Sequence, residues 1–257
     1  MTKHLLAIDV SNTHTKIGVF DGARLVRHWR VRTDEDRTAD EYGVLLLGLF
    51  QAAGASTAEI NGVIVSSVVP PMNPMLDELA RTYFGQQPVH VGPGTKTGMP
   101  VLYDNPHEVG ADRIVNSVAA YERYHNACIV VDFGTATTFD CVSGRGEYLG
   151  GVITPGIGIS LDALCAKTAK LPKVELVKPT RVIGKTTVHA IQAGSIYGYV
   201  ALVDGLVDRI RGELGAGARV IATGGFATLL APESRTIETV DEFLTLDGLQ
   251  LIYRRNQ

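Results

Sequence analysis

Hydrophobic and polar positions change period along the chain. Leu5-Leu6-Ala7-Ile8 is a short apolar run stopped by Asp9, and Ile17-Gly18-Val19-Phe20 resumes it after the polar turn Ser11-Asn12-Thr13-His14. That pattern predicts two strands of a hairpin. Asp21-Gly22 is a hairpin-turn dipeptide, and Leu25 to Val31 follows with the composition of a third strand. From Thr38 to Ala53 the period lengthens: Tyr42, Leu45, Leu46 and Leu49 recur at helical spacing and share one face. Val63-Ile64-Val65 then runs into Ser66-Ser67, so the opening stretch reads β-β-β-α-β, an α/β pattern.

The pattern begins again near residue 128. Ile129-Val130-Val131 ends on Asp132 and is followed by Phe133-Gly134-Thr135-Ala136-Thr137-Thr138. A shift of about 123 positions sets Asp9 on Asp132, Ser11 on Gly134, Asn12 on Thr135 and Thr15 on Thr138. Val63 to Ser67 likewise resembles Val220-Ile221-Ala222-Thr223-Gly224. Two matches in the same order point to a duplicated domain, with residues 1–124 and 125–257 as the halves. Two like domains facing each other would bring both aspartate loops to one cleft, a favoured place for a small-molecule site.

Composition narrows the function. With 24 basic and 27 acidic side chains the formal charge is −3, which supplies no basic field for nucleic acid. Cys128, Cys141 and Cys165 form no CxxC pair and read as thiols of a reducing cytoplasm. No basic leader and no run of roughly 18 apolar residues suggests export or membrane insertion.

The polar turns carry the candidate chemistry. A strand-end loop of small hydroxyl and amide residues offers backbone N–H groups to phosphate oxygens, and its aspartate can hold Mg²⁺ directly or through water. Asp9-Val10-Ser11-Asn12-Thr13 has that composition, although Ser, Asn and Thr also favour plain hairpin turns. Asp132 to Thr138 is richer in hydroxyls and suggests a second phosphate clamp. The paired glycines of Thr223-Gly224-Gly225 would let a flat group such as an adenine approach the backbone. Common nucleotide motifs fail: Gly184-Lys185-Thr186 has Pro179 where a P-loop needs glycine, and Gly156-Ile157-Gly158 lacks the last glycine of a dinucleotide fingerprint. In Gly110-Ala111-Asp112-Arg113 the aspartate sits where a loop enters a helix. It serves there either as a helix-start residue paired with its neighbour, or as a base that takes a hydroxyl proton while Arg113 holds an anion.

Together, Asp9 to Thr13, Gly110 to Arg113, Asp132 to Thr137 and Gly151-Val152-Ile153-Thr154-Pro155-Gly156 resemble the type III pantothenate kinases, in order and over most of the chain. The resemblance implies two duplicated ribonuclease-H-like domains around a nucleotide cleft, as in the sugar kinase, heat-shock ATPase and actin superfamily. It implies ATP-dependent phosphorylation of pantothenate to 4′-phosphopantothenate, the first step of coenzyme A synthesis, by a cytoplasmic homodimer that needs Mg²⁺ and K⁺ or NH₄⁺. Carried over by motif, Asp9 organises Mg²⁺, and the segment Asp9, Val10, Ser11, Asn12, Thr13, His14, Thr15 and Lys16 binds ATP together with Thr135. Asp112 is the general base, and Gly110, Ala111, Asp112 and Arg113 form the pantothenate loop. Tyr103 lines its pocket, Thr187 reaches pantothenate across the dimer interface, and Asp132 binds the monovalent cation. The family pattern Asp-x-Gly-Asn-Thr has Ser11 at its glycine. Were that position to need positive φ, serine would cost roughly 1 kcal/mol and crowd a phosphate. The competing readings are another small-molecule kinase of the superfamily and, against the charge balance, an accessory transcriptional regulator without catalysis.

Overall fold

The computed structural model describes residues 4–257. The first elements are β1 (His4–Val10), β2 (His14–Asp21), β3 (Arg24–Arg32), α1 (Ala39–Ala52), β4 (Ile60–Ser67), α2 (Asn73–Phe84), β5 (Pro88–His90) and α3 (Ala111–Tyr124). There follow β6 (Cys128–Phe133), β7 (Ala136–Val142), β8 (Tyr148–Pro155), α4 (Ile157–Lys167), α5 (Thr187–Leu214), β9 (Arg219–Thr223), α6 (Ala227–Leu230), β10 (Thr239–Val240) and α7 (Leu244–Arg255). The expected β-β-β-α-β opening is present. Thr38 starts α1 through a capping box: its hydroxyl accepts from the Glu41 N–H, and the Glu41 carboxylate accepts from the Thr38 N–H at 2.8 Å.

Two five-stranded sheets share one topology, β3-β2-β1-β4-β5 and β8-β7-β6-β9-β10. In each, the first three strands form an antiparallel meander and the last two join in parallel. The register makes the duplication explicit, because Asp9 pairs with Ser66 across β1 and β4 as Asp132 pairs with Thr223 across β6 and β9. It also corrects one alignment. Val10 pairs with Thr15 and Phe133 with Thr137, so Thr15 corresponds to Thr137 and not to Thr138. The second turn is one residue shorter, and an ungapped shift cannot follow that.

Contacts divide the chain into Met1–Met99, Asp104–Ala119 and Leu244–Gln257 as one unit, and Pro100–Tyr103 with Ala120–Phe243 as the other. This corrects a simple cut at 124/125. α7 belongs to the first unit, where Lys16 Nζ donates to Thr245 Oγ1 and Gln250 Nε2 to the Gly22 carbonyl. The alternation of β1 explains why a helix is needed there. Leu6, Ile8 and Val10 face the core built with α1 and α2, while Leu5 and Ala7, also buried, point to the opposite face. Leu244, Leu246, Leu249 and Ile252 of α7 supply buried apolar surface to the same unit.

The second core is centred on Ile129, Val131, Phe139, Val220 and Ala222, with Ile196, Val200, Val203 and Val207 of α5 packed on them. α5 is 28 residues long and apolar enough to fit a bilayer by length and composition, and these core contacts account for its apolar stripe. Among the described residues Cys128, Cys141 and Cys165 form no disulfide. Burial pushes the Cys128 thiol up to about 12.

Candidate functional site

In the first unit, β1 and β2 carry the Asp9 turn at the carboxyl end of the central strand. Asp9 is only 1% exposed, whereas Asn12, Thr13 and His14 stand out at the tip. Ser11 Oγ donates to Asp9 Oδ2 at 3.4 Å, and the Ser11 N–H closes the turn on the His14 carbonyl at 3.2 Å. Ser11 is not left-handed: among the described residues the non-glycine with positive φ is His125, at 44°. The anticipated strain of serine at this position is therefore absent, because the turn places the residue in ordinary backbone space. Burial, then the nearby Arg30 and Lys16 charges, hold the His14 imidazole below its usual value.

Thr33, which sequence reasoning passed over, braces this turn. Its Oγ1 donates to the Ser11 carbonyl at 2.7 Å and lies 3.0 Å from Thr15 Oγ1, and its N–H donates to the Thr13 carbonyl at 3.0 Å. Thr33 follows β3, so only strand register brings it beside residues some twenty positions earlier.

The Gly110-Ala111-Asp112-Arg113 motif lies in the same unit. The Val68 N–H donates to the Val10 carbonyl at 3.0 Å, and a side-chain carbon built at Gly110 would lie 3.5 Å from Val68. The end of β1 and the start of α3 are thus linked through the residue after β4. Asp112 stands in the first turn of α3, where the helix dipole favours its charge, and its Oδ1 accepts from the Arg113 N–H at 2.8 Å. Arg113 is largely buried, so its stem packs along the helix start.

In the second unit, Asp132 is the next-to-last residue of β6 and Thr135 is exposed on the turn to β7. Two glycines from elsewhere press on this turn. Gly156 donates its N–H to the Thr135 carbonyl at 3.0 Å, and a side-chain carbon at Gly156 would sit 2.2 Å from that oxygen. The Thr154-Pro155-Gly156 motif thus works as a backstop for the Asp132 turn. Gly224 has φ +93°, and a side-chain carbon there would come within 2.4 Å of Asp132 Oδ1. Of the glycine pair expected to admit a flat ligand, Gly224 is therefore filled by the protein itself, while Gly225 faces open space.

Tyr103 also falls in the second unit, its ring against Tyr148 and Gly150. Thr187 opens α5, whose cap is Thr186: its Oγ1 accepts from the His189 N–H at 3.2 Å. Thr187 lines a cleft of about 830 Å³ with Leu161 and Leu164 of α4 and Ile191 and Tyr199 of α5. The structure thus gathers Asp9 to Lys16 with Gly110 to Arg113 in one unit, and Tyr103, Asp132, Thr135 and Thr187 in the other.

The donor sets suit hard cations. Asp9 and Ser66 present a carboxylate and a buried hydroxyl with no hydrogen-bond partner among the described residues, and Asp132 and Thr223 repeat that pair in the second unit. All-oxygen donors with a single carboxylate fit Mg²⁺ that is held chiefly by substrate phosphates, or a monovalent ion.

Two copies of a β-β-β-α-β-type unit, each with an aspartate at the tip of its central strand, define the duplicated ribonuclease-H-like fold of the actin-like ATPases and sugar kinases. Solved structures agree on the fold. A candidate N-acetylmannosamine kinase from Listeria monocytogenes superposes with TM-score 0.55 at 10% identity, covering 99% of this chain and 100% of its own. A candidate Baf family transcriptional activator from Campylobacter jejuni gives 0.61 at 18%, covering 98% of each. The sequence profile described as type III pantothenate kinase matches residues 5–209. The type III pantothenate kinase of Myxococcus xanthus is 58% identical over 252 residues, 98% of each chain. The chain belongs to the type III pantothenate kinase family.

Proposed function

We propose that this protein transfers the γ-phosphoryl group of ATP to the primary hydroxyl of pantothenate, giving 4′-phosphopantothenate and ADP for coenzyme A synthesis. The observation that carries this reading is the family match across residues 5–209, which spans the Asp9 turn, the Asp112 loop and the Asp132 turn together.

Asp112 accepts the hydroxyl proton as the oxygen attacks phosphorus and the bond to the ADP oxygen breaks. Because phosphoryl transfer is loose and the proton leaves late, an ordinary carboxylate is basic enough, and orientation matters more than basicity. The bond from the Arg113 N–H supports that orientation by holding one carboxylate oxygen. Gly110 and Ala111 bring backbone to the acceptor, and Arg113 offsets the charge of its carboxylate. The backbone and hydroxyls of Ser11, Asn12 and Thr13 take the phosphates, with Thr135 as a further ATP contact. Mg²⁺, held through Asp9, would neutralise charge building on the phosphate oxygens. Asp132 with Thr223 would hold K⁺ or NH₄⁺. A second copy of the chain is the partner we assign to the cleft that contains Thr187, supported by the exposed apolar side chains of Leu164 and Val188 near it.

The test is ATP-dependent formation of phosphopantothenate by the purified protein with Mg²⁺, in potassium buffer and in sodium buffer free of potassium and ammonium. Product is expected with potassium and little without it. ATP binding with no product in either buffer would redirect the reading to another acceptor.

A further inference from the structure

Asp140 and Tyr148 are both 0% exposed, and no step of the proposed reaction uses either. Burying a carboxylate is costly unless strong donors meet it. Here Tyr148 donates its hydroxyl to Asp140 Oδ1 at 2.9 Å, and Thr138 Oγ1 donates to Oδ2 at 3.2 Å. The bond to Asp140 anchors the hydroxyl end of the Tyr148 ring inside the core.

Tyr148 in turn holds a segment that is foreign to its neighbours in sequence. The Leu102 N–H donates to the Tyr148 carbonyl and the Tyr148 N–H to the Pro100 carbonyl, both at 2.8 Å, so Pro100–Tyr103 is stapled to β8. The ring of Tyr103 then lies along that strand. Its centroid is 6.4 Å from that of Tyr148 at an interplanar angle of 49°, and a side-chain carbon on Gly150 would touch it at 3.3 Å. The Tyr103 ring thus meets both the anchored Tyr148 ring and the bare backbone at Gly150, where β8 bulges against β7, and the two form a shallow seat for it. Tyr103 keeps 36% of its surface exposed.

We infer that Tyr148, locked by Asp140, is a positioning residue that sets the Tyr103 ring for the acceptor substrate. The inference rests on the reading of Tyr103 as a wall of the pantothenate pocket, and the test separates the two. Steady-state KM values for pantothenate and for ATP would be measured on the full-length protein and on Tyr103→Leu, Tyr148→Leu, Tyr148→Phe and the Tyr103→Leu/Tyr148→Leu pair, with thermal unfolding of each.

Expected are a KM for pantothenate raised roughly two- to tenfold by Tyr148→Leu, the scale of an aromatic pair, a smaller rise in Tyr148→Phe, which keeps the ring, and KM for ATP within twofold. The double variant should be no worse than Tyr103→Leu alone, because the effect of Tyr148 passes through Tyr103. If Tyr103→Leu leaves KM for pantothenate unchanged, the pocket reading fails and takes the inference with it. If Tyr103→Leu raises it while the Tyr148 variants do not, or raise both KM values equally, or add fully to Tyr103→Leu, the pocket reading stands and the positioning role is overturned. Should Tyr148→Leu not fold, Tyr148→Phe carries the same comparison.

Discussion

Between paired positions, the turn after Asp9 spans Ser11 to His14 and the turn after Asp132 spans only Gly134 to Ala136. The longer turn is braced by hydroxyls, with Thr33 tied to the carbonyls of Ser11 and Thr13. The shorter one is wedged by glycines, Gly156 against the Thr135 carbonyl and Gly224 against Asp132. By register, Ser67 of the first unit stands where Gly224 stands in the second, and its Oγ accepts from the Val69 N–H at 3.1 Å. One supersecondary unit has thus been finished in two ways. A longer turn leaves room for side chains that hydrogen-bond to it, whereas a shorter one draws neighbouring backbone so close that no side chain fits.

In the proposed reaction proton transfer falls to Asp112 of the first unit, and the largest effect should be found there. Asp112→Asn is expected to lower kcat by roughly 10²–10⁴-fold, the range for a lost general base, with ATP binding by calorimetry retained. Wild-type turnover would remove Asp112 from its role.

Next in size should be the glycine wedges. Gly156→Ala and Gly224→Ser are each expected to cost about 1–3 kcal/mol in urea unfolding, from overpacking in both and left-handed backbone in the second. The counterpart Ser67→Gly should cost no more than about 1 kcal/mol, chiefly in chain entropy. Equal costs in the two units would mean the turns are not built differently.

Asp132→Ala should then erase the difference in rate between potassium and sodium buffers, since the proposed cation site would lose its main charge. An undiminished potassium response would move that ion elsewhere. Ser11→Gly should change stability by less than about 1 kcal/mol, since Ser11 carries no left-handed strain to relieve. A clear gain in stability would contradict the turn geometry.

The smallest effect concerns pH. His14 titrates below its usual value of 6.5 in the folded chain, so on acidification the unfolded chain takes up the proton first. The contribution of His14 to stability is therefore present above about 6.5 and lost as pH falls toward its lower folded value. Exposure at the turn keeps the effect small. The midpoint of unfolding should drop slightly more between pH 7.5 and 5.5 in the wild type than in His14→Gln, and identical profiles would count against it.

Much of this could be read from residues in order along the chain. Hairpin turns, the α1 stripe with its Thr38 cap and the apolar-Asp-turn repeat are local, fixed by spacing within a few residues. The Asp9, Asp112 and Asp132 loops were legible for the same reason, since each motif is contiguous and its family resemblance runs in order. Where reasoning along the chain went astray, the missing quantity was a turn length or a distant neighbour. Whether Ser11 carries strain depends on a backbone angle that the sequence does not give, and the Gly224-Gly225 pair reads as open to a flat ligand because Asp132 beside Gly224 is distant in the chain.

The sequence by itself therefore determined the α/β unit, its duplication, the family and the residues that carry charge at the strand tips. These depend on periodicity and on short-range chemistry. Only the tertiary structure decided that α7 returns to the first sheet, that Thr33 braces the Asp9 turn, that Gly156 backs the Asp132 turn and that Tyr148 seats Tyr103. Each joins residues far apart in the chain, and such contacts follow from register and close packing, which no local pattern encodes.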